Sequence, residues 1–309
     1  MSYADVAVAL ILVGLSAYLL FGGADFGAGL WHLLARRAAE KDVIEHAMGP
    51  VWEANHVWLI FVMVMTWTAF PPVFAGIMTA YWVPLSLAAL GIVIRGSAFA
   101  FMKIEHGFKI EHRRRYRWAF GVSSVVTPYA LGAVAGTIAA GDRHWLSPPG
   151  AYAGLLTVGL CAYLAAVYLT WDARRLSPNA ATAERFRSYA LGTGAVVGAL
   201  ALPGSIVLGV RSPLIGLSAL AGLVSLVLLW RRAYLAVRLS AALAAGSVLW
   251  GAAVLSDLDL DAAAAHDAVL RVIFVALGVG GIFLLPALAW LYVLFQREAG
   301  SHEDRARAR

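Results

Sequence analysis

The sequence predicts an all-α, polytopic membrane protein with about nine transmembrane helices, arranged as two four-helix bundles plus one extra helix. Hydrophobic residues make up 61% of the 309 residues and charged residues only 14%, and the mean hydropathy is +0.76. Soluble domains hold about 45–50% apolar and about 25% charged residues. A chain of this size cannot bury that much apolar surface in its own interior, so lipid must surround much of it.

The apolar residues form runs that are long enough to cross the hydrocarbon core, for which a helix needs roughly 20 residues. The first, third and last runs are longer than needed and are expected to tilt or to project from the bilayer. No basic segment precedes the first run, so we expect a retained span rather than a cleaved signal peptide. We expect residues 1–309 to form a single integral membrane domain. The predicted spans are about 4–34, 43–69, 72–102, 118–140, 151–171, 188–210, 213–230, 234–255 and 268–296.

Lysines and arginines lie mainly on one side of the predicted membrane. When successive connections alternate between two faces, one face carries 19 of the 24 basic residues, and the other carries only Arg143 and Arg211. This bias marks the cytoplasmic face, so the N-terminus is expected outside and the C-terminus inside. Short basic loops beside anionic lipid also account for the net charge of +6, and we expect no nucleic acid partner. The basic connections are 35–42, 103–117, 172–187, 231–233 and 297–309.

The first span contains a carboxylate, Asp25, among four glycines in the stretch GGADFGAGLWHLL. Gly23 and Gly27 lie about one turn apart, which lets another helix approach closely. Two interpretations remain open. Asp25 is either a hydrated or paired group near the cytoplasmic end, with Arg36 or Arg37 as its partner, or a proton-carrying carboxylate that is buried by close helix contact.

The stretch GPVWEANHVWLI opens the second span and places Glu53, Asn55 and His56 next to Trp52 in apolar surroundings. Glu53 and His56 are three residues apart and therefore share a helix face. Carboxylate di-iron bundles need a Glu-x-x-His motif on each of two helices. This chain has no second intramembrane copy, so we expect no metal site. Glu53 is then either a neutral structural group or a protonatable relay group.

Arg95 lies in the third span, about eight residues from the nearest basic connection, and can extend only part of the way to water. A buried arginine needs a carboxylate partner or a water-filled cavity, and Glu53 and Asp25 are the candidate partners. A haem propionate or a lipid headgroup is an alternative partner for Arg95.

Cys161 is the single cysteine, which excludes an internal disulfide and predicts a small buried apolar side chain.

These stretches resemble subunit II of the cytochrome bd-type quinol oxidases. The resemblance rests on GGADFGAGLWHLLAR, GPVWEANHVWLI, TAFP and IVIRGSAFAF, within residues 15–102. Beyond them the agreement is limited to span count, topology and hydropathy. Many members have a glutamate in the RGxxFEF run where this chain has Ala100, so any role of that acid is absent or moved here.

The resemblance implies a subunit of the bacterial plasma membrane that pairs with a haem-bearing subunit I. That partner is expected to carry b-type and d-type haems and the quinol-oxidising loop, and the complex is expected to reduce dioxygen to water. This chain itself is expected to hold no catalytic residue, no haem ligand and no metal. A small accessory subunit, and a bound structural quinone or lipid, are compatible with this expectation.

The resemblance also implies a proton path from the cytoplasm through the acid at Glu53. His56 either extends this relay or donates a hydrogen bond. Two rival hypotheses stay open, namely a purely structural scaffold for subunit I and, with less support, a secondary transporter. The residues expected on the path are Glu53, Asp25 and His56, with Arg95, Asn55 and Trp52 in supporting positions.

Overall fold

Long α-helices with short connections make up the regular structure of the described residues. The structure, a computed structural model, describes the backbone of residues 2–48, 52–103, 110–176, 180–207, 212–254 and 260–307. Within these ranges, the side chains that fall outside the description are 52–54, 103, 110–113, 176, 205–207, 252–254, 260–261, 285, 288–289 and 291–307.

Thirteen α-helices and one π-helical turn follow one another along the described chain. They are α1 Tyr3–Ala17, the π-helical turn Tyr18–Gly22, α2 Gly23–Leu34, α3 Ala38–Met48, α4 Trp52–Ala69, α5 Pro71–Ala80, α6 Trp82–Lys103, α7 Ile110–Ala139, α8 Pro148–Leu176, α9 Ala180–Val207, α10 Pro213–Trp230, α11 Tyr234–Val254, α12 Leu260–Ala263 and α13 Asp267–Arg307.

Seven helical segments of the described chain are long and apolar enough to cross a membrane. The bent pair α4 and α5 would add an eighth if it forms one span. α9 is not among the seven, but it packs along α8. The all-α membrane fold is therefore confirmed, and the predicted count of nine is approximate. The seven segments are Tyr3–Leu34, Trp82–Met102, Arg114–Ala139, Pro148–Arg175, Pro213–Trp230, Tyr234–Gly251 and Asp267–Leu284.

The chain bends by 119° between α4 and α5. Phe70 leaves the helical region with φ −135° and ψ 65°, and Pro71 begins α5. Proline is favoured at a first helical position because its missing N–H has no partner there anyway. The sequence therefore ends one helix and starts another at this point.

A second break separates α5 from α6 at Tyr81, whose φ is −116° and ψ is 29°. Pro84 follows as the third residue of α6. In a continuous helix its ring would clash with the carbonyl of Ala80, four residues earlier. The structure therefore divides the predicted span 72–102 between α5 and α6, and Trp82–Met102 is the part that is long and apolar enough to cross a membrane as one helix.

The structure also divides the predicted span 43–69 between α3 and α4. α3 is amphipathic, with Val43, Ile44 and Met48 buried and several charged residues among them. Such a composition suits a helix that lies against the end of the bundle better than one that crosses lipid.

The first predicted span, 4–34, is one continuous helical segment with a π-helical turn in its middle. A π-helical turn adds a residue to the helix and often lies at a functional site. Asn55 of α4 is buried and donates from Nδ2 to the carbonyl oxygen of Phe21 within this turn, at 3.2 Å. α4 is thus hydrogen-bonded to the irregular part of the first span.

Glycines let α2 lie very close to its neighbours. A Cβ atom on Gly27 would stand 1.9 Å from the main-chain oxygen of Cys161 in α8, and one on Gly29 would stand 2.1 Å from Oγ of Ser124 in α7. The close helix approach predicted at Gly27 is confirmed, whereas a Cβ on Gly23 would meet its nearest neighbour at an ordinary 3.4 Å.

Polar contacts gather the basic connections at one end of the bundle. Arg185 of α9 donates to Glu40 of α3 at 3.1 Å, and His32 of α2 lies 3.0 Å from Glu45 of α3. Arg187 of α9 donates to main-chain oxygens at the end of α10. The connections 35–42, 172–187 and 231–233 therefore meet at the same end, as their charge predicts.

The contact at Gly27 yields a stability prediction. We expect Gly27→Ala to lower the free energy of unfolding by about 1–3 kcal/mol, because the added methyl group must displace backbone of α8. Thermal unfolding of the purified protein in detergent measures the change.

Gly192→Ala in α9 is the matched control, because a Cβ there meets nothing within 4 Å. Alanine is intrinsically better than glycine in a helix by about 1 kcal/mol, so this variant should be neutral or slightly more stable. Equal thermal stability of the two variants would contradict the close packing of α2 against α8.

Candidate functional site

A buried ion pair lies at the centre of the candidate site. Arg95 of α6 is only 1% exposed and Asp25 of α2 is 7% exposed. Nη2 of Arg95 donates to Oδ1 of Asp25 at 2.7 Å and to the main-chain oxygen of the same residue at 3.1 Å. Asp25 stands nine residues before the end of α2, which is about 13 Å along the helix axis. The pair therefore lies well inside the span, beyond the reach of an extended side chain to water.

The guanidinium has further partners that compensate for the loss of water. Nε of Arg95 donates to Oγ of Ser124 in α7 at 2.9 Å. The Cζ atom lies 5.1 Å from the ring centroid of Phe26 and 5.0 Å from that of Phe120. A desolvated cation over an aromatic face gains about 2 kcal/mol, which offsets part of the desolvation penalty of several kcal/mol.

Local sequence explains why these groups can meet. Gly29, one turn after Asp25, leaves the space that Oγ of Ser124 fills. Gly91, one turn before Arg95, does the same for Thr127, whose Oγ1 would lie 2.1 Å from an added Cβ. Small residues therefore bring α2 and α6 against the same part of α7.

One oxygen of Asp25 has no hydrogen-bond partner among the described residues. Oδ2 of Asp25 and the hydroxyl of Tyr18 are buried and have no hydrogen-bond partner among the described residues. The ring of Tyr18 lies 6.4 Å from that of His56, and the charges of Asp25 and Arg95 act on both. The structure thus brings Tyr18, Asp25, His56 and Arg95 into one electrostatic neighbourhood.

The predicted site residues fall into three groups. Asp25 is the carboxylate partner of Arg95, which confirms one of the two candidates and replaces the alternative pairing with Arg36 or Arg37. Asn55 and His56 lie on α4, the first buried and the second half-buried. A third group, Trp52 and Glu53, begins α4, but its side chains lie outside the described residues, so a contact of Glu53 with Arg95 stays a prediction.

Two polar participants of the site, Ser124 and Tyr18, were not predicted. Ser124 lies in an apolar run, where a serine hydroxyl ordinarily bonds back to its own helix, as this one also does to Phe120 at 2.7 Å. Tyr18 carries no sequence signal beyond its distance of seven residues from Asp25, about two helical turns. Residue type alone therefore does not distinguish either residue from the other serines and tyrosines of the membrane spans.

Metal ligation was tested on the side chains that the structure describes. Among them, no group of three or more histidine, cysteine, aspartate or glutamate residues could hold a metal ion. The described arrangement is suited to holding a charge and transferring a proton, because its groups are a carboxylate, an imidazole, a phenol and a fixed guanidinium.

Comparison with known proteins places this geometry in a family. A family model described as cytochrome bd terminal oxidase subunit II matches residues 3–295. The chain belongs to this family. The Asp25–Arg95 pair is therefore a feature of a bd-oxidase subunit II.

Curated relatives agree with this assignment. The chain is 30% identical over 135 residues to cytochrome bd ubiquinol oxidase subunit 2 of Bacillus subtilis, which covers 43% of this chain and 38% of that protein. It is 27% identical over 180 residues to cytochrome bd-I ubiquinol oxidase subunit 2 of Escherichia coli, which covers 52% of this chain and 46% of that protein. The matched part is less than half the length of either relative.

A solved structure shares the fold. A chain in the structure of bd oxidase from Geobacillus thermodenitrificans superposes with a TM-score of 0.76 at 22% sequence identity. The match covers 96% of this chain and 99% of that one. The common fold thus extends over nearly the whole subunit.

The ion pair predicts a specific pattern of stability. We expect Arg95→Met to destabilise the protein by about 3–5 kcal/mol, because it leaves the Asp25 carboxylate buried without its cation. The double variant with Asp25→Asn should lose less than the sum of the two single losses, since it removes both charges. Thermal unfolding of the three variants measures this coupling, and additive losses would show that the two side chains do not interact.

The hydrogen bond between Ser124 and Arg95 can be tested by comparing variants of Ser124 and Ser123. Ser124→Ala removes the acceptor for Nε of Arg95, and we expect a loss of about 1–3 kcal/mol from the unpaired buried donor. Ser123→Ala is the matched control, because that hydroxyl donates to the carbonyl oxygens of Ala119 and Phe120 in its own helix. A shift of the unfolding midpoint that is equal in both variants would contradict the role of Ser124.

Proposed function

We propose that this chain works as subunit II of a bd-type quinol:dioxygen oxidoreductase in a bacterial plasma membrane. The observation that carries the proposal is the family match over residues 3–295, and the buried ion pair in a membrane-spanning bundle is consistent with it. In this proposal the chain pairs with a haem-bearing subunit I and supports it as a single integral membrane domain.

The proposal also divides the chemistry between the two subunits. We assign the b-type and d-type haems and the quinol-oxidising site to the partner subunit. The described residues of this chain offer a buried carboxylate–guanidinium pair. The chain then supplies no catalytic residue but shapes the protein environment beside the partner.

The charge distribution supports an orientation. The basic connections that meet at one end of the bundle are placed in the cytoplasm by the positive-inside rule. The N-terminus then lies outside and the C-terminus inside. α3 and the end of α2 consequently lie near the cytoplasmic side.

Within this orientation, Glu53 is proposed to take up protons from the cytoplasm. It stands in the first turn of α4, and Asn55 and His56 lie in the same part of that helix. Asn55 anchors this turn of α4 to the π-helical turn of the first span. His56 either passes the proton on or donates a hydrogen bond that holds the path.

Asp25 is proposed as the next carrier, on the basis of its two unequal oxygens. Oδ1 is bound by Arg95 at 2.7 Å, whereas Oδ2 has no hydrogen-bond partner among the described residues. A proton can therefore bind at Oδ2 while Arg95 keeps its contact with Oδ1. Arg95 holds the carboxylate in place and does not itself need to release a proton, because guanidinium stays charged.

A structural scaffold remains the second candidate, and one observation favours it. The Asp25–Arg95–Ser124 contacts tie α2, α6 and α7 together, so the same residues could serve packing alone. Assembly and turnover must therefore be measured separately in any variant.

The test of the proton path is Glu53→Gln. We expect quinol-dependent oxygen uptake to fall by about tenfold or more, because a positioned proton-transfer group contributes at least that much, while haem content per complex stays unchanged. Glu184→Gln is the control, since Glu184 lies at the basic end, is half exposed and is paired with Arg232 at 3.4 Å. Unchanged uptake in assembled Glu53→Gln complexes would favour the scaffold, and wild-type complexes without oxygen uptake would contradict the oxidase function itself.

A further inference from the structure

A second charged cluster lies away from the Asp25–Arg95 pair, where the end of α8 meets the start of α11. Arg238 of α11 has its Cζ atom 4.7 Å from the ring centroid of Tyr168 and 5.3 Å from that of Trp171. Its Nε is buried and has no hydrogen-bond partner among the described residues. Two aromatic faces thus hold the guanidinium, while at least one of its donors has no acceptor in the part of the chain that the structure describes.

Further arginines surround this group. Arg174 at the end of α8 lies over the ring of Tyr234, with 4.5 Å between Cζ and the centroid, and Tyr234 stands one turn before Arg238 on α11. Asp172 is close enough to feel the charges of Arg175 and Arg238. Two guanidinium groups therefore act on one carboxylate, and Arg174 adds a third positive charge beside Tyr234, so the cluster has an excess of positive charge.

The cluster lies at the level where a lipid headgroup would meet it. Arg238 is in the second turn of α11, at the basic end of the bundle. Leu235 and Leu239 on the same helix are 68% and 69% exposed, and Trp230 before it is 68% exposed. Exposed leucines at the same level as tryptophan, tyrosine and arginine are typical of the boundary between lipid tails and headgroups.

We propose that this cluster binds the phosphate of an anionic phospholipid in the leaflet on the basic side of the bundle. Arginine presents several N–H donors in a fixed plane, which match phosphate oxygens in pairs. Basic pockets between membrane helices on the cytoplasmic side bind anionic headgroups in this way. The acyl chains then lie along the exposed leucines of α11.

The experiment uses the full chain with its co-purifying subunits in mild detergent, and fluorescent phosphatidylglycerol as the probe. We expect Arg238→Gln and Arg174→Gln each to weaken probe binding about fivefold, the effect of one arginine near a membrane surface. Arg174 is exposed, so its variant is suitable even if Arg238→Gln does not fold. Arg231→Gln is the control, because this exposed arginine lies in the α10–α11 connection outside the aromatic contacts.

Further titrations distinguish a lipid phosphate from free inorganic phosphate as the ligand of the cluster. The lipid site is supported if fluorescent phosphatidylglycerol binds the wild-type protein and the Arg231→Gln control with equal affinity. Fluorescent phosphatidylcholine should bind the wild-type protein more weakly than phosphatidylglycerol does. If inorganic phosphate displaces the fluorescent lipid when both are at the same concentration, the cluster binds a free anion. This result would overturn the lipid proposal. Equal binding in all variants would overturn it as well. None of these outcomes depends on oxidase turnover.

Discussion

Burial of one guanidinium constrains the rest of this structure. Arg95 lies too deep in the bundle to reach water, and an unpaired charge at that depth would be very unfavourable. It must therefore find a carboxylate, a hydroxyl acceptor and polarisable surroundings within the protein. Asp25, Ser124 and two phenylalanine rings supply them, and each belongs to a helix that has to approach within contact distance.

Close approach in turn depends on residues without side chains. Gly27 brings the backbone of α8 against α2, and Gly29 and Gly91 admit hydroxyl groups of α7 where a methyl group would clash. Side-chain packing and hydrogen bonds, rather than the hydrophobic effect, hold helices together in lipid. The glycine-rich stretch around Asp25 therefore serves the ion pair and the bundle with the same contacts.

Much of this organisation could be predicted from the sequence, and the failures have physical causes. Hydropathy locates most spans, and the rarity of intramembrane charge makes Asp25 a candidate partner for Arg95. Hydropathy cannot show that Pro84 separates α5 from α6, because proline affects backbone geometry more than apolar character. Nor could it single out Ser124, whose role depends on a neighbour 29 positions away. The π-helical turn has no signature in residue type.

The family assignment gives these contacts a functional setting, and the partner subunit proposed for this chain can be looked for directly. The decisive measurement is the reduced-minus-oxidised visible spectrum of the material that co-purifies with the tagged chain from its native host in mild detergent. The proposed function predicts haem bands from a second large subunit, together with quinol-dependent oxygen uptake. A colourless chain that purifies alone would contradict it.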